Sequence, residues 1–258
     1  MQGLAAVAGL LPQEIAALFL AYARISTMVM LLPGIGEAMV PSRVRLAIAL
    51  AVTAAIAPQV MGLYPALPVD PIPLSVLLFG EILIGLMIGL IARMIMSALS
   101  VAGSAIAMQT GLGFVQAIDP AFGVQGAIIG TFLSITAMTF IFATGAHELL
   151  FASIAHSFVL FAPGAAPPIA DFADLAVTTL GGAFALGIQI ATPFLIFGLV
   201  FNLAAGVLSK VMPQVQIFFI AMPANILLGL MIFMLTIGAA VMWFADHFAT
   251  TLKPLSGI

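Results

Sequence analysis

The chain has 258 residues, 64% of them hydrophobic and 6% charged, with six Lys or Arg against nine Asp or Glu. Soluble domains carry about 25% charged residues, so this composition excludes a soluble globular fold, and a net charge of -3 leaves no basic surface for nucleic acid. The absence of cysteine excludes disulfides, thiolate metal sites and cysteine nucleophiles.

A membrane-crossing helix needs about 20 mostly apolar residues, and the spacing of the charges leaves several stretches of that size. In chain order they are Ile15 to Leu32, carrying Arg24; Leu46 to Val69; Leu74 to Ala92, carrying Glu81; and Met94 to Ile118. Pro120 to His147, Leu149 to Ala170, Leu175 to Ser209 and Val211 to Ala245 follow. The apolar runs are far longer than strands and show no alternation of period two. The expectation is therefore an all-α membrane protein of six to eight long helical segments arranged in hairpins, the lower count merging Leu149 to Phe161 with its predecessor. The amino terminus lacks a basic region ahead of its first charge, Glu14, so a cleaved signal peptide is not expected.

Breaks are expected where proline and glycine cluster: Leu32-Pro33-Gly34, the stretch from Tyr64 to Pro73, Asp119-Pro120, Ala162 to Pro168, and Met212-Pro213. Pro193 and Pro223 stand inside apolar runs and predict kinks or broken helices. Arg43 and Arg45 mark one loop as cytoplasmic, and the Asp70 and Asp171/Asp174 loops, without basic residues, fall outside.

Charges inside apolar segments are costly, which makes Arg24, Glu81 and Arg93 informative: each needs a partner or water. Glu81 and Arg93 stand twelve positions apart, about 18 Å along one helix, too far to pair directly. They serve either as a proton or ion relay or as interhelical ion pairs and interfacial anchors. Gly85-x-x-x-Gly89 and Gly126-x-x-x-Gly130 are small faces for close helix approach, either within the chain or against partner helices. The three histidines lack ligand spacing, and Gly111-Leu112-Gly113 follows no strand and precedes no lysine, so neither a metal site nor a phosphate cradle is expected. Ile106 to Phe122 differs in kind, placing Gln109, Gln116, Gly111 and Gly113 among apolar Met108, Leu112 and Phe114. It reads as a structured loop that either packs as a re-entrant turn or blocks a passage on a glycine hinge.

The ordered set Arg24, Pro33-Gly34, Val40-Pro41-x-Arg43-Val44-Arg45, Pro58, Gly80-Glu81, Gly85, Gln109-x-Gly111, Asp119-Pro120, Pro213-Gln214-x-x-x-Phe218 and Pro223 resembles the FliR family of the flagellar export gate and its injectisome relatives. The resemblance runs from about Ala21 to Gly229. It implies a non-enzymatic subunit of the type III export gate in the bacterial inner membrane at the flagellar basal body. FliP and FliQ would be its assembly partners, FlhB and FlhA would serve it, and unfolded protein substrates and membrane lipids would contact it. No cofactor is implied. It further implies a FliP-like part, 1–175, with a plug loop at about 106–122, and a FliQ-like hairpin with a tail, 176–258, turning at Pro213. Met108, Gln109, Gly111, Leu112, Gly113 and Phe114 resemble the pore plug, and Arg24, Arg43, Arg45, Glu81 and Arg93 would hold structural or subunit contacts. The reading from another class is a secondary transporter of a small solute or ion.

Overall fold

The computed structural model of the chain describes residues 13–68, 70–113, 128–212 and 216–257. Among the described residues it contains seven α-helices: α1 (Gln13–Leu31), α2 (Ser42–Val60), α3 (Pro71–Gln109), α4 (Ile128–Ala143), α5 (Glu148–Leu160), α6 (Ile169–Val211) and α7 (Ile217–Ser256). Five helical stretches are long and apolar enough to cross a membrane, and α4 with α5 forms a further pair bent by 75°. The fold is that of an all-α membrane protein.

The boundaries follow from proline and glycine chemistry. α1 ends at Leu31, and Gly34, with φ 87°, takes the left-handed backbone that a residue with Cβ resists. Pro58 stands two residues before the end of α2, which passes into a 3₁₀ turn at Met61–Leu63. Pro71 and Pro73 occupy the first turn of α3, where the missing N–H groups have no intrahelical partner to lose, and the N–H of Leu74 donates to Asp70 O at 3.3 Å. Gly145, φ 77°, turns the chain between α4 and α5. α6 carries Asp171 in its first turn and Lys210 in its last, matching the helix dipole at both ends.

The structure departs from the charge-spacing division at α3. Leu74 to Ala92 and the stretch after Arg93 form one helix of 39 residues. A lone arginine interrupts hydropathy without interrupting backbone hydrogen bonding, and neither proline nor a glycine turn stands there. Of the kinks or breaks expected at Pro193 and Pro223, breaks are absent, since α6 and α7 run on through these positions. Asp119-Pro120, Phe114, Gln116 and Pro213 lie outside the described residues.

The chain divides into two compact units. The first comprises Met1–Met94, Gly145–Thr179 and Ala249–Ile258, the second Ile95–Thr144 and Leu180–Phe248. In the first unit α1 packs on α2 and buries Ala17, Leu20, Ala21, Ile25 and Met28, a spacing of three and four that keeps one face inward. In the second, Leu99 and Ile106 of α3, Leu133 of α4, Phe194 of α6 and Phe244 of α7 are buried. Much apolar surface is left over: only 22% of the apolar window of α2, and the same share of that of α7, is buried within the chain. Phe79 is 72% exposed and Leu235 83%. Such surface requires lipid or partner helices.

Candidate functional site

Two clusters gather the polar chemistry, one in each unit. In the first unit Arg24 lies midway along α1 and is fully buried, and Glu81 of α3 is buried with it. Arg24 Nε donates to Glu81 Oε2 at 2.5 Å. Arg24 Nη1 donates to the carbonyl oxygens of Ser157 and Phe161, both at 3.0 Å. Those carbonyls belong to the last turn and the end of α5: Ser157 O also accepts from the Phe161 N–H at 3.0 Å, whereas Phe161 O lies beyond the helix and has no intrahelical donor. The guanidinium therefore caps a helix C-terminus, where a cation also meets the negative end of the dipole, while Glu81 neutralises it. Its carbon Cζ lies 4.3 Å from the centre of the Phe158 ring, adding a cation–π contact.

Close backbone approach makes this arrangement possible. A Cβ at Gly85 would fall within contact distance of Thr27 Oγ1 and the Arg24 carbonyl, and at Gly89 it would stand 2.8 Å from Leu31 Cβ. The Gly85-x-x-x-Gly89 face is thus filled by α1 of the same chain. Gly126 lies outside the described residues, and its companion Gly130 approaches Gly103. Tyr64 joins the first cluster from the turn after α2. Burial pushes its phenol above the ordinary tyrosine value, and the Glu81 carboxylate pushes it further.

The other sequence-predicted charges stand apart from this pair. Arg93 is exposed on α3, twelve residues after Glu81. Arg43 is exposed in the first turn of α2, whereas Arg45 donates from Nε to the Val40 carbonyl at 3.0 Å and so secures the turn before α2.

The second cluster surrounds the end of α3. Met108 and Gln109 are helical, in the last turn of α3, and Thr110 to Leu112 form a turn. Met108 is 75% exposed, whereas Thr110 is buried. Gly111 has φ 78°. Asn225 Nδ2 of α7 donates to the Gln109 carbonyl at 3.2 Å. A Cβ at Gly198 of α6 would run into the Gln109 side chain, and one at Gly229 of α7 would run into Thr110. On α3, Ser104 donates to Ser100 O at 2.8 Å and Ser75 to Ile72 O at 2.7 Å, each within its own helix.

Sequence reasoning missed Tyr64, Asn225, Gly198 and Gly229, and the carbonyls that Arg24 caps. Asn225 is a polar residue two positions after Pro223 in an apolar run, which is a signal; the two glycines have none, since nothing local distinguishes them from other helical glycines. No cluster of three or more His, Cys, Asp or Glu is found among the described residues. The first unit holds a cleft of about 100 Å³ lined mainly by apolar side chains such as Met87, Ile91 and Phe172, with Asp171 at its edge. It assembles no acid–base pair.

Comparison with known proteins decides the kinship. The family described as Bacterial export proteins, family 1, matches residues 15–251. The flagellar biosynthetic protein FliR of Caulobacter vibrioides is 40% identical over 90% of this chain and 93% of its own length. The chain belongs to the FliR family. A FliR from Aquifex aeolicus is 27% identical over 92% of this chain and 91% of its own length. The Yop proteins translocation protein T of Yersinia pestis is 27% identical over 62% of each chain. The family match encloses both polar clusters.

Proposed function

We propose that this chain is an integral membrane subunit of a flagellar type III protein export gate, where it helps to form and close the pore through which unfolded flagellar substrates pass. The observation that carries this reading is the kinship to a flagellar biosynthetic FliR along 93% of that protein's length. The relation to the Yersinia translocation protein covers less of both chains, which favours a flagellar rather than an injectisome setting. In this reading the chain resides in the bacterial inner membrane at the flagellar basal body, assembled with FliP and FliQ and served by FlhB and FlhA. Residues 1–175 correspond to a FliP-like part and 176–258 to a FliQ-like hairpin. The exposed apolar faces of α2 and α7 suit such an assembly, in which each face meets either acyl chains or a closely packed partner helix.

The segment from Met108 to Phe114 acts as the plug. Met108, exposed on the last turn of α3, and Leu112, in the turn that follows, carry apolar side chains on either side of Gly111, whose φ of 78° is backbone that only glycine adopts easily. An apolar constriction excludes ions by excluding water. A passive conduit needs no chemistry of its own, so Arg24 and Glu81 hold interhelix structure, and Arg43, Arg45 and Arg93 hold structural or subunit contacts. Deleting Gly111 to Gly113 is expected to raise ion conductance of the assembled complex in a planar bilayer. Unchanged conductance, with the complex intact, would contradict the plug role.

A further inference from the structure

The geometry points to Asn225 as a positioning residue for closure: it anchors the root of the plug segment, so that motion begins at Gly111 and not within α3. This rests on Met108 to Gly113 being the closing segment. Three contacts from two helices converge on two consecutive residues. Asn225 donates to the carbonyl of Gln109, the last residue of α3, one of the C-terminal carbonyls that the helix itself cannot satisfy. The missing side chain of Gly198 makes room for Gln109, and that of Gly229 for Thr110. Thr110 closes the seat from within, its Oγ1 donating to Ile106 O at 2.9 Å.

Immediately beyond the seat the backbone changes character. Gly111 has φ 78°, and a Cβ there would stand 3.3 Å from Asn225 Nδ2, so the anchoring amide lies directly against the glycine that turns the chain. A helix end held by a hydrogen bond and two close-packed notches, followed by a residue with free access to the left-handed region, is a fixed root with its hinge one residue on. Asn225 Oδ1 is buried without a hydrogen-bond partner. The amide's position is therefore set by its donor end and by packing.

The test uses assembled complexes with conductance and substrate export as readouts. Asn225→Leu preserves approximate volume and removes the donor. It should raise leak about five- to tenfold, the equivalent of one hydrogen bond, at an unchanged yield of complex, while Asn225→Gln, which retains the donor, leaks less. Deletion of Gly111 to Gly113 runs in parallel. If the deletion leaks and Asn225→Leu does not, the anchor is wrong and the plug reading stands. If the deletion does not leak, the plug reading fails and the anchor fails with it.

Should Asn225→Leu fail to assemble, a second pair of substitutions decides. The chain has no cysteine, and a Cβ at Gly198 lies 3.1 Å from Gln109 Cβ, near the 3.5–4.5 Å range of disulfides. With Gln109→Cys and Gly198→Cys oxidised, a static root leaves export at the rate seen after reduction. Loss of export on oxidation, restored by reductant, would show that the seat must separate and would overturn the anchor.

Discussion

Arg24 shows how a single residue is made tolerable in an apolar setting. Its charge is met by Glu81, two of its donor contacts go to the end of α5, and its flat face lies over Phe158. Removing one member of a buried ion pair leaves the other charge uncompensated, at a cost of about 3–5 kcal/mol. Glu81→Ala is therefore expected to reduce strongly the amount of folded chain and of complex recovered from membranes, and Glu81→Gln, which can still accept a hydrogen bond from Arg24, to reduce it less. Wild-type recovery of Glu81→Ala would refute this. Tyr64 supplies a pH test. Its ordinary value is 10.0 and burial raises it in the folded chain, so above about pH 10 the unfolded chain loses a proton that the folded chain keeps. The unfolded state then binds fewer protons, and stability falls as pH rises. In detergent, the decline of the thermal midpoint above pH 10 should be shallower for Tyr64→Phe; superimposable curves would contradict the assignment.

At the scale of elements, helix starts and stops were readable because proline and glycine act locally. Gly34, Pro71 and Pro73 and the Ala162–Pro168 stretch mark ends that the structure also has, whereas the turn at Gly145 was not read from the sequence. The continuity of α3 through Arg93 was not readable from charge spacing, which measures membrane compatibility and not hydrogen bonding. The glycines divide by what lies opposite them. A Cβ at Gly85 meets the α1 backbone and at Gly187 stands 2.8 Å from Ala98 O, whereas nothing lies within 4 Å at Gly206 or Gly238. Gly187→Ala and Gly85→Ala should each destabilise by about 1–3 kcal/mol through overpacking. Gly206→Ala and Gly238→Ala should leave the isolated chain unchanged or stabilise it by up to about 1 kcal/mol through helix propensity. Detergent unfolding of the four variants checks the division, and equal losses at all four would contradict it.

At the scale of the whole molecule, composition together with the length and periodicity of the apolar runs led to an all-α membrane protein, and an ordered set of weak motifs led to the FliR family. The sites were only half readable. Arg24 and Glu81 stood out as charges in apolar runs, yet their pairing spans 57 residues. The Asn225 contact to Gln109 spans 116. One sequence carries propensity and pattern, whereas contacts at such separation are set by tertiary packing. The apolar surface left exposed on α2, α6 and α7 makes assembly the decisive property. The most direct measurement is to tag the chain, extract it gently from native membranes, and determine by native mass and mass spectrometry what co-purifies. The account predicts a stable complex with FliP-like and FliQ-like chains; recovery of the chain alone, or only with copies of itself, would contradict it.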